Sequence, residues 1–511
     1  VLDGLDAALA ARLLEERWAG RGERYGFAHA LIAQVLYDEA PRHRLRRLHL
    51  RAGEALARAR GERPEEAAEV ARHFLAGGAE ARALPYLERA GDHAMTLYAH
   101  EEALGHYQTA VDLLGEGGDE GGLAAARRRL AGALVRLNRT AEAVALYEQA
   151  LAYYTRGEER AEQASVEYEI GLAHRAAYAN MVALHHLETA LRLWPENHQP
   201  ARAARLYLDV ALGRLSADGQ EAAAAAADLA DRGLALAERY GDPALRAYGL
   251  GIRANIESVG DWRATYALYE SAVQLARQSG DRETLLRILG SQGFARRMQG
   301  ELRAALHDFR ERLALAVELG LVTQIIVGQE QIALTCADLG EWAEAREALS
   351  AALALDPTEP YRMLFDAWFH GDQARAIALA EREVDTARER HDLILEFEML
   401  TTVGYLRSQM GQVEEVLVLL RRALTLDPPA WRVSYIRGEL AWAAAYQGDP
   451  EAATLVAESL AWLEDGRSGD WERAPLLRAR GQVLARAGDS VGALAALRES
   501  AAVARRQENR P

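Results

Sequence analysis

A pattern that returns about every forty residues runs through four-fifths of this 511-residue chain. Seven segments place a Gly five positions ahead of a small residue: Gly260/Thr265, Gly300/Ala305, Gly340/Ala345, Gly371/Ala376, Gly411/Val416, Gly448/Ala453 and Gly488/Ala493. Upstream, the second position continues without the Gly, at Tyr98/Ala103, Asn138/Ala143, Tyr178/Ala183 and Glu221/Ala226. The intervals between successive second positions are 40, 40, 43, 39, 40, 40, 31, 40, 37 and 40 residues. A fixed period of this size marks stacked supersecondary units, each burying its apolar face only against its neighbours. A stack of that kind presents an extended surface, so a binding protein is expected rather than a catalyst.

The units read as helix, turn, helix, turn from about residue 41 onward. Apolar residues recur at i, i+3, i+4 and i+7, as in Leu302, Ala305, Leu306, Phe309 and Leu313. Gly-Asp and Gly-Glu pairs (Gly260-Asp261, Gly300-Glu301, Gly448-Asp449, Gly488-Asp489) stop one helix and open the next. Gly is free to take the left-handed C-terminal conformation, and the acid that follows favours the positive end of the next helix. Half of the residues are hydrophobic and only 7% are aromatic, a composition of closely packed helices.

Composition also removes several functions. All 60 basic residues are Arg. A Schiff-base lysine, a lysine general base and a P-loop lysine are therefore absent from this chain. A net charge of −16 argues against a surface given over to nucleic acid or anionic lipid. The single Cys336 cannot form an intramolecular disulfide and fits a reduced, cytoplasmic setting. Nothing approaches the run of about eighteen apolar residues that a membrane span needs, so no membrane role is expected. Val1-Leu2-Asp3 is neither a signal peptide nor a translation start, and the chain reads as a piece of something longer.

The repeat resembles the tetratricopeptide repeat: helix A, a Gly turn, a small residue in helix B, a second small residue seven positions later, then Pro. Ala103/Ala110, Ala143/Ala150, Ala183/Ala190 and Ala345/Ala352 keep both small positions. Pro195, Pro357 and Pro428 each fall twelve residues after the small residue of their own repeat. The resemblance covers residues 80–511 and implies an all-α fold, a right-handed superhelical solenoid of about eleven helix pairs. The common period exceeds that of a typical tetratricopeptide by about a turn of helix. The short Gly340–Gly371 unit is the place where a break in the superhelix is expected. Residues 1–40 differ, with a helix expected over Leu5–Trp18, a turn at Arg21-Gly22, a strand at Tyr25-Gly26-Phe27, and a second helix opening at Phe27. They read as a winged-helix remnant, followed by linking helices over 41–79.

A second resemblance covers residues 20–115, on the run Phe27-Ala28-His29-Ala30-Leu31-Ile32, then Arg47-Leu48-His49, Ala71-Arg72-His73-Phe74 and Ala90-Gly91-Asp92-His93-Ala94. These stretches resemble the junction in bacterial signalling ATPases of the STAND class, including MalT-like and SARP-like transcription regulators. There a P-loop ATPase and a winged helix precede a helical-repeat sensor. The resemblance implies ATP or ADP in the parent protein, no cofactor in this fragment, and an ATPase core as a partner in cis. It places His29 where members of the class hold a His near the nucleotide phosphates, although Ala28 stands where Arg is common. The residues alone equally allow His29 to cap or pack its helix.

Other chemistry is sparse. The basic run Arg42–Arg51 carries Leu45 and Leu48 on an apolar stripe, so its Arg residues read as solvated faces or as a docking surface for an acidic partner domain, not as a DNA contact. His185 and His186 are adjacent and diverge by about 100° on a helix. No metal site is expected. Cys336, among Ile332, Leu334 and Leu339, reads as core, and no carboxylate pair stands out as an acid/base couple.

In a tetratricopeptide array helix A lines the concave groove. That register selects Phe294, Arg297, Tyr361, Phe365, Trp368, Phe369, Tyr405, Tyr435, Trp442 and Tyr446. Aromatic anchors beside Arg suit a peptide, protein or small-molecule inducer; the alternative is that the rings fill gaps between helices. The function expected is the ligand-sensing arm of a larger signalling ATPase, a bacterial transcription regulator, with no active site in the fragment itself. The alternatives are a free-standing scaffold for protein–protein interaction, and the sensor region of a cyclase- or kinase-linked regulator.

Overall fold

The computed structural model describes residues 2–19, 22–60, 63–177, 179–195, 199–218, 223–257, 262–357, 359–389, 392–426, 430–464 and 470–507. Arg21, Tyr178, Glu221, Gly260, Asp261, Asp427 and Pro428 lie outside the described residues. The chain divides into two compact units, Val1–Ala133 and Leu134–Pro511. No helix among the described residues is long and apolar enough to cross a membrane.

The first unit opens with α1 (Leu2–Ala10) and an antiparallel hairpin, β1 (Leu14–Ala19) against β2 (Gly22–Phe27), with Leu14 opposite Phe27. The helix expected over Leu5–Trp18 therefore ends at Ala10. Arg12 takes a left-handed φ of 54° and the Leu13 carbonyl accepts from the Ala28 amide at 3.0 Å, which diverts the chain into the hairpin. The strand expected at Tyr25–Phe27 lies within β2. Next come α2 (Ala30–Glu39), α3 (Arg42–Arg60), α4 (Ala67–Ala76), α5 (Glu80–Thr96), α6 (His100–Gly117) and α7 (Glu120–Arg136), within which the unit boundary falls. Val70, Phe74, Ala83 and Leu87 form a core cluster of this unit. The Arg residues of the basic run are exposed on α3, while His49 on the same helix is buried.

The second unit continues the alternation. Its helices are α8 (Thr140–Arg156), α9 (Arg160–Ala176), α10 (Asn180–Leu193), α11 (Pro200–Asp218), α12 (Ala223–Arg239), α13 (Pro243–Glu257), α14 (Trp262–Ser279), α15 (Arg282–Met298), α16 (Leu302–Glu318) and α17 (Val322–Asp338). Then follow α18 (Trp342–Leu355), α19 (Pro360–Phe369), α20 (Gln373–Glu389), α21 (Leu393–Gln409), α22 (Val413–Leu424), α23 (Ala430–Gln447), α24 (Ala452–Glu464), α25 (Arg473–Arg486) and α26 (Ser490–Arg506). From α5 onward, odd-numbered helices are the A members of tetratricopeptide-like pairs and even-numbered helices the B members. The short repeat is shortened in both its own helices, 14 residues in α18 and 10 in α19.

The turn, not the forty-residue pair, is the finest period. A left-handed residue recurs at Gly78, Tyr98, Gly118, Asn138 and Glu158, and again at Gly280, Gly300, Gly320 and Gly340. Each of these lies 20 residues from the next within its series. Tyr98 and Asn138, where Gly is missing, hold φ at 59° and 61°, so the conformation outlasts the residue type that favours it. The next amide then reaches back to close the helix, as Ala99 N to Ala94 O and Glu301 N to Arg296 O, both at 2.9 Å.

Ala103, Ala143, Ala226, Thr265, Ala305, Ala345, Ala376 and Val416 have no exposed surface, as close approach between helices requires. At the Gly448 repeat the register is one residue shorter than expected. Ala453 faces solvent, and Ala452, with Ser459 seven residues later, takes the buried position. Helix A supplies a matching hollow twelve residues earlier, at Gly91, Gly171, Gly293, Gly404 and Gly481. The residue four places after the small position fills it: Tyr107, Leu187, Phe309, Leu420 and Leu497. A Cβ on Gly293 would stand 2.6 Å from the Phe309 ring, nearer than a carbon contact allows.

One polar knot interrupts the apolar packing. Asp209 on α11 is fully buried and accepts from Tyr168 Oη (2.7 Å), Tyr248 Oη (2.6 Å) and Arg175 Nη1 (2.5 Å). Burial alone would raise its pKa, but Arg175, Arg205 and the hydrogen bonds outweigh burial and hold it down at about 2. Residues far apart in sequence also meet in this unit. Arg136 pairs with Glu283 at 3.0 Å, Asn138 Oδ1 accepts from Thr323 at 2.9 Å, and the Gln507 side chain lies against Gly300.

Gly293→Ala gains about 1 kcal/mol of helix propensity but displaces a core ring at about 1–3 kcal/mol, so it should lower the melting temperature. Gly105→Ala, with nothing within 4 Å of the new methyl, should raise it. Asp209→Asn should cost about 3–5 kcal/mol in chemical denaturation. Because the folded pKa of Asp209 lies below its ordinary 3.8, its contribution is present above that value and is lost as pH falls towards about 2. The wild type should lose about 2 kcal/mol over that window, and the Asn variant should lack that component.

Candidate functional site

Aromatic and charged side chains that keep part of their surface in water collect on the A helices α15, α17, α19, α21 and α23. Phe294 and Arg297 are three residues apart on α15, and Tyr361, Phe365 and Trp368 share a face of α19 at spacings of four and three. Phe294, Tyr361, Tyr405 and Tyr446 are 43%, 38%, 44% and 51% exposed. Phe365, Trp368 and Trp442 are half-buried against core clusters.

Rings and charges link neighbouring A helices along the face that the tetratricopeptide register makes the trough. Tyr361 and Phe365 have centroids 4.7 Å apart, Trp368 reaches Tyr405 across to α21 at 6.5 Å, and Trp442 lies 5.8 Å from Tyr446. Arg297 donates through Nε to Asp338 of α17 at 2.7 Å. Arg362 is held by Glu330 at 2.9 Å and by Asp356. Burial pushes the Tyr361 hydroxyl up to about 12, with Glu398 adding and Arg297 opposing. It does the same to Tyr405, where Asp338 and Glu439 add. Tyr361 and Tyr405 each keep part of the ring in water while protein atoms crowd the hydroxyl.

Phe369 does not belong to this surface. It is 5% exposed and turned into the core, 5.9 Å from both Trp342 and Phe365. Successive i+4 steps from Tyr361 through Phe365 drift around the helix, and the second step, to Phe369, reaches the packed side. Tyr435 has a side chain outside the described ones. His29, in the first unit, is the exposed N-cap residue of α2 and its side chain makes no capping hydrogen bond.

Four carboxylates in the trough, Glu330, Asp338, Glu398 and Glu439, were not singled out from the sequence. Their signal was helical register: Glu398 precedes Tyr405 by seven residues, and Glu439 precedes Trp442 and Tyr446 by three and seven. Glu439 has its pKa raised by burial, and its Oε2 is buried without a hydrogen-bond partner among the described residues. An acid-lined row of aromatic faces is suited to apolar groups and to cations, which the rings attract through their quadrupoles.

Cys336 is fully buried, with its sulfur near carboxylates of Glu341 and Glu344, the three ligand atoms lying within 4.8 Å of one another. Those acids are engaged by Arg303 (3.0 Å) and Arg310 (2.5 Å), and burial pushes the thiol up to about 12. A protonated thiol between two neutralised acids is a poor donor set for a cation.

No protein-family model matches the chain, and no curated protein does. Among solved structures it is similar to a Rap protein complexed with Competence and Sporulation Factor, at 13% identity and a TM-score of 0.49 over 68% of this chain and 98% of that one. It is similar to the apo quorum sensor NprR from B. thuringiensis, at 15% identity and a TM-score of 0.43 over 66% of this chain and 97% of that one. A STAND protein with a tetratricopeptide repeat sensor from Pyrococcus horikoshii matches at 13% identity and a TM-score of 0.35, over 90% of this chain and 58% of that one. Likenesses this distant carry no inference about function.

Proposed function

We propose that the second unit binds a peptide or protein segment along the α15–α23 trough, as the sensor arm of a larger signalling ATPase of the STAND class, a bacterial transcription regulator. The observation that carries the binding reading is the row of exposed rings, Phe294, Tyr361, Tyr405 and Tyr446, on alternate helices with acids between them. Rings that served only to fill gaps would be covered, as Phe369 is. Glu439, whose buried Oε2 has no hydrogen-bond partner among the described residues, favours a segment carrying a basic residue beside apolar ones. Binding would act by population shift, favouring the arrangement of A helices that fits the ligand better.

A second observation supports attachment to a further domain. No residue of α2 is buried, and Leu31, Val35, Leu36 and Tyr37 are 74%, 51%, 51% and 51% exposed, beside the exposed Phe27 of the hairpin. A helix this apolar is stable in water only when something covers it. In this reading the cover is the ATPase core in cis.

The trough is tested with peptides selected from a random display library on the full chain. Tyr405→Ala/Tyr446→Ala should weaken the selected peptides about 10- to 30-fold, as loss of interface aromatics does, with the melting temperature nearly unchanged. Equal binding by the double variant, or no enriched peptide, would overturn the trough reading. The regulatory reading is tested separately by mass mapping of the native polypeptide, where a P-loop in the same chain is expected.

A further inference from the structure

In the first unit, a chain of side-chain hydrogen bonds crosses three helices. Tyr37 Oη on α2 lies 2.9 Å from Nε2 of His49 on α3, and His49 Nδ1 lies 2.9 Å from Nδ1 of His73 on α4. Nε2 of His73 then meets Nη2 of Arg72 at 3.2 Å. The rings touch along the way, with centroids 5.8 Å apart for Tyr37 and His49 and 5.0 Å apart for His49 and His73. His49 is buried and His73 half-buried. Because α2 has no buried residue to anchor it, weight falls on its polar link through Tyr37.

The protons on this chain can be ordered in one way only. A guanidinium donates and never accepts, so His73 Nε2 is bare and its neutral ring carries the proton on Nδ1. That N–H donates to His49 Nδ1, which must itself be bare, and His49 donates through Nε2–H to the Tyr37 oxygen. Both imidazoles are therefore neutral. An added proton has two bare nitrogens to choose from. On His73 Nε2 it faces the Arg72 cation, and on His49 Nδ1 it meets the N–H of His73 head-on across 2.9 Å. The closed chain has room for one added proton at most. Parted rings turn both bare nitrogens to water and take two.

We propose that Tyr37, His49 and His73 form a proton-operated latch, which holds α2 on α3 and α4 at neutral pH and releases it in acid. Among the described residues, the groups facing the two imidazoles are Tyr37 from α2 and Arg72 from α4, with Glu69 of α4 beside Arg72 at 3.8 Å. Partial burial, then Arg72 and His49, hold His73 below the ordinary histidine value of 6.5, and Glu69 opposes them. The latch is therefore at full strength above 6.5 and weakens as pH falls below it. Release moves Leu31, Val35 and Leu36, the exposed apolar residues of α2. The latch uses only this unit's own side chains, so its failure would leave the reading of what covers α2 where it stands.

Hydrogen–deuterium exchange of the full chain, read by mass spectrometry and corrected for the pH dependence of intrinsic exchange, tests this at about pH 7.5 and about pH 5.5. The α2 amides should be protected at the higher pH and lose about 5-fold or more of that protection at the lower. Over the same range α6, in the same unit, should stay protected, and it reports in each variant that the unit is folded. Tyr37→Phe, which keeps the ring and loses only the hydroxyl, should exchange at the higher pH as the wild type does at the lower. His73→Gln, whose amide can donate to His49 Nδ1 or accept from it, should keep α2 protected at both. The latch is overturned if wild-type α2 is equally protected at both pH values, or unprotected at both. It is overturned as well if Tyr37→Phe matches the wild type at the higher pH, or if His73→Gln opens in acid as the wild type does. Loosening of α6 together with α2 would also overturn it, since the unit as a whole would then be acid-labile.

Discussion

Close approach of helix A to helix B is the constraint on which the rest of this structure depends. It needs a residue without bulk on helix B, a hollow on helix A, and a turn that reverses the chain in two or three residues. Ala305 has no exposed surface, Phe309 seats against Gly293, and Gly300 reverses the chain between them. The left-handed turn residue is the least negotiable part. Tyr98, Asn138 and Glu158 accept φ between 53° and 61°, at a cost that β-carbon sterics put near 1–2 kcal/mol, and the turn survives.

Because packing consumes one face of each helix, the opposite faces of the A helices are free to carry other chemistry. The structure divides that freedom into two neighbouring regions. From α15 to α23 it presents rings and acids. From α9 to α13 it presents arginines around one buried acid. Only the outermost side chains of these faces are free of the core, since Phe365, Trp368 and Trp442 pack partly against it and Tyr168 and Tyr248 belong to it. The Asp209 knot is a load on the fold, since its carboxylate is fully buried and depends on Arg175, Tyr168 and Tyr248.

The all-α architecture was legible because its period is enforced by sterics, and sterics select residue types. Gly and Ala at fixed intervals can be seen in one sequence. The twenty-residue turn period was half hidden, because Tyr98, Asn138 and Glu158 satisfy it without looking like turn residues. The Gly at position −12 was present at Gly91, Gly171 and Gly293, but Ala131 and Ala333 stand in its place elsewhere and blur the signal. Ala452 and Ala453 are indistinguishable by composition; only the helix start decides between them. The hairpin at residues 14–27 was missed in its first strand because a local break at Arg12 and a nonlocal amide decide it. Asp209 was invisible for a related reason. An acid among arginines on a helix looks like any solvated face until the neighbouring helices show how many guanidiniums share it.

The contacts that join residues far apart in the second unit differ in kind from the contacts between adjacent helices. Adjacent helices are glued by methyl groups and rings, whose attraction dissolved ions do not screen. Arg136–Glu283 and Asn138–Thr323 are polar and partly wet, and the ion pair weakens as mobile ions gather within a Debye length of about 8 Å at physiological ionic strength. The unit therefore has two sets of fastenings that respond to different solvents. Electrolyte loosens the long-range clasp and leaves each helix pair intact, while a chaotrope attacks the pairs themselves. A ligand that competes for Glu283 would act on the clasp in the same way as salt does, but at one place.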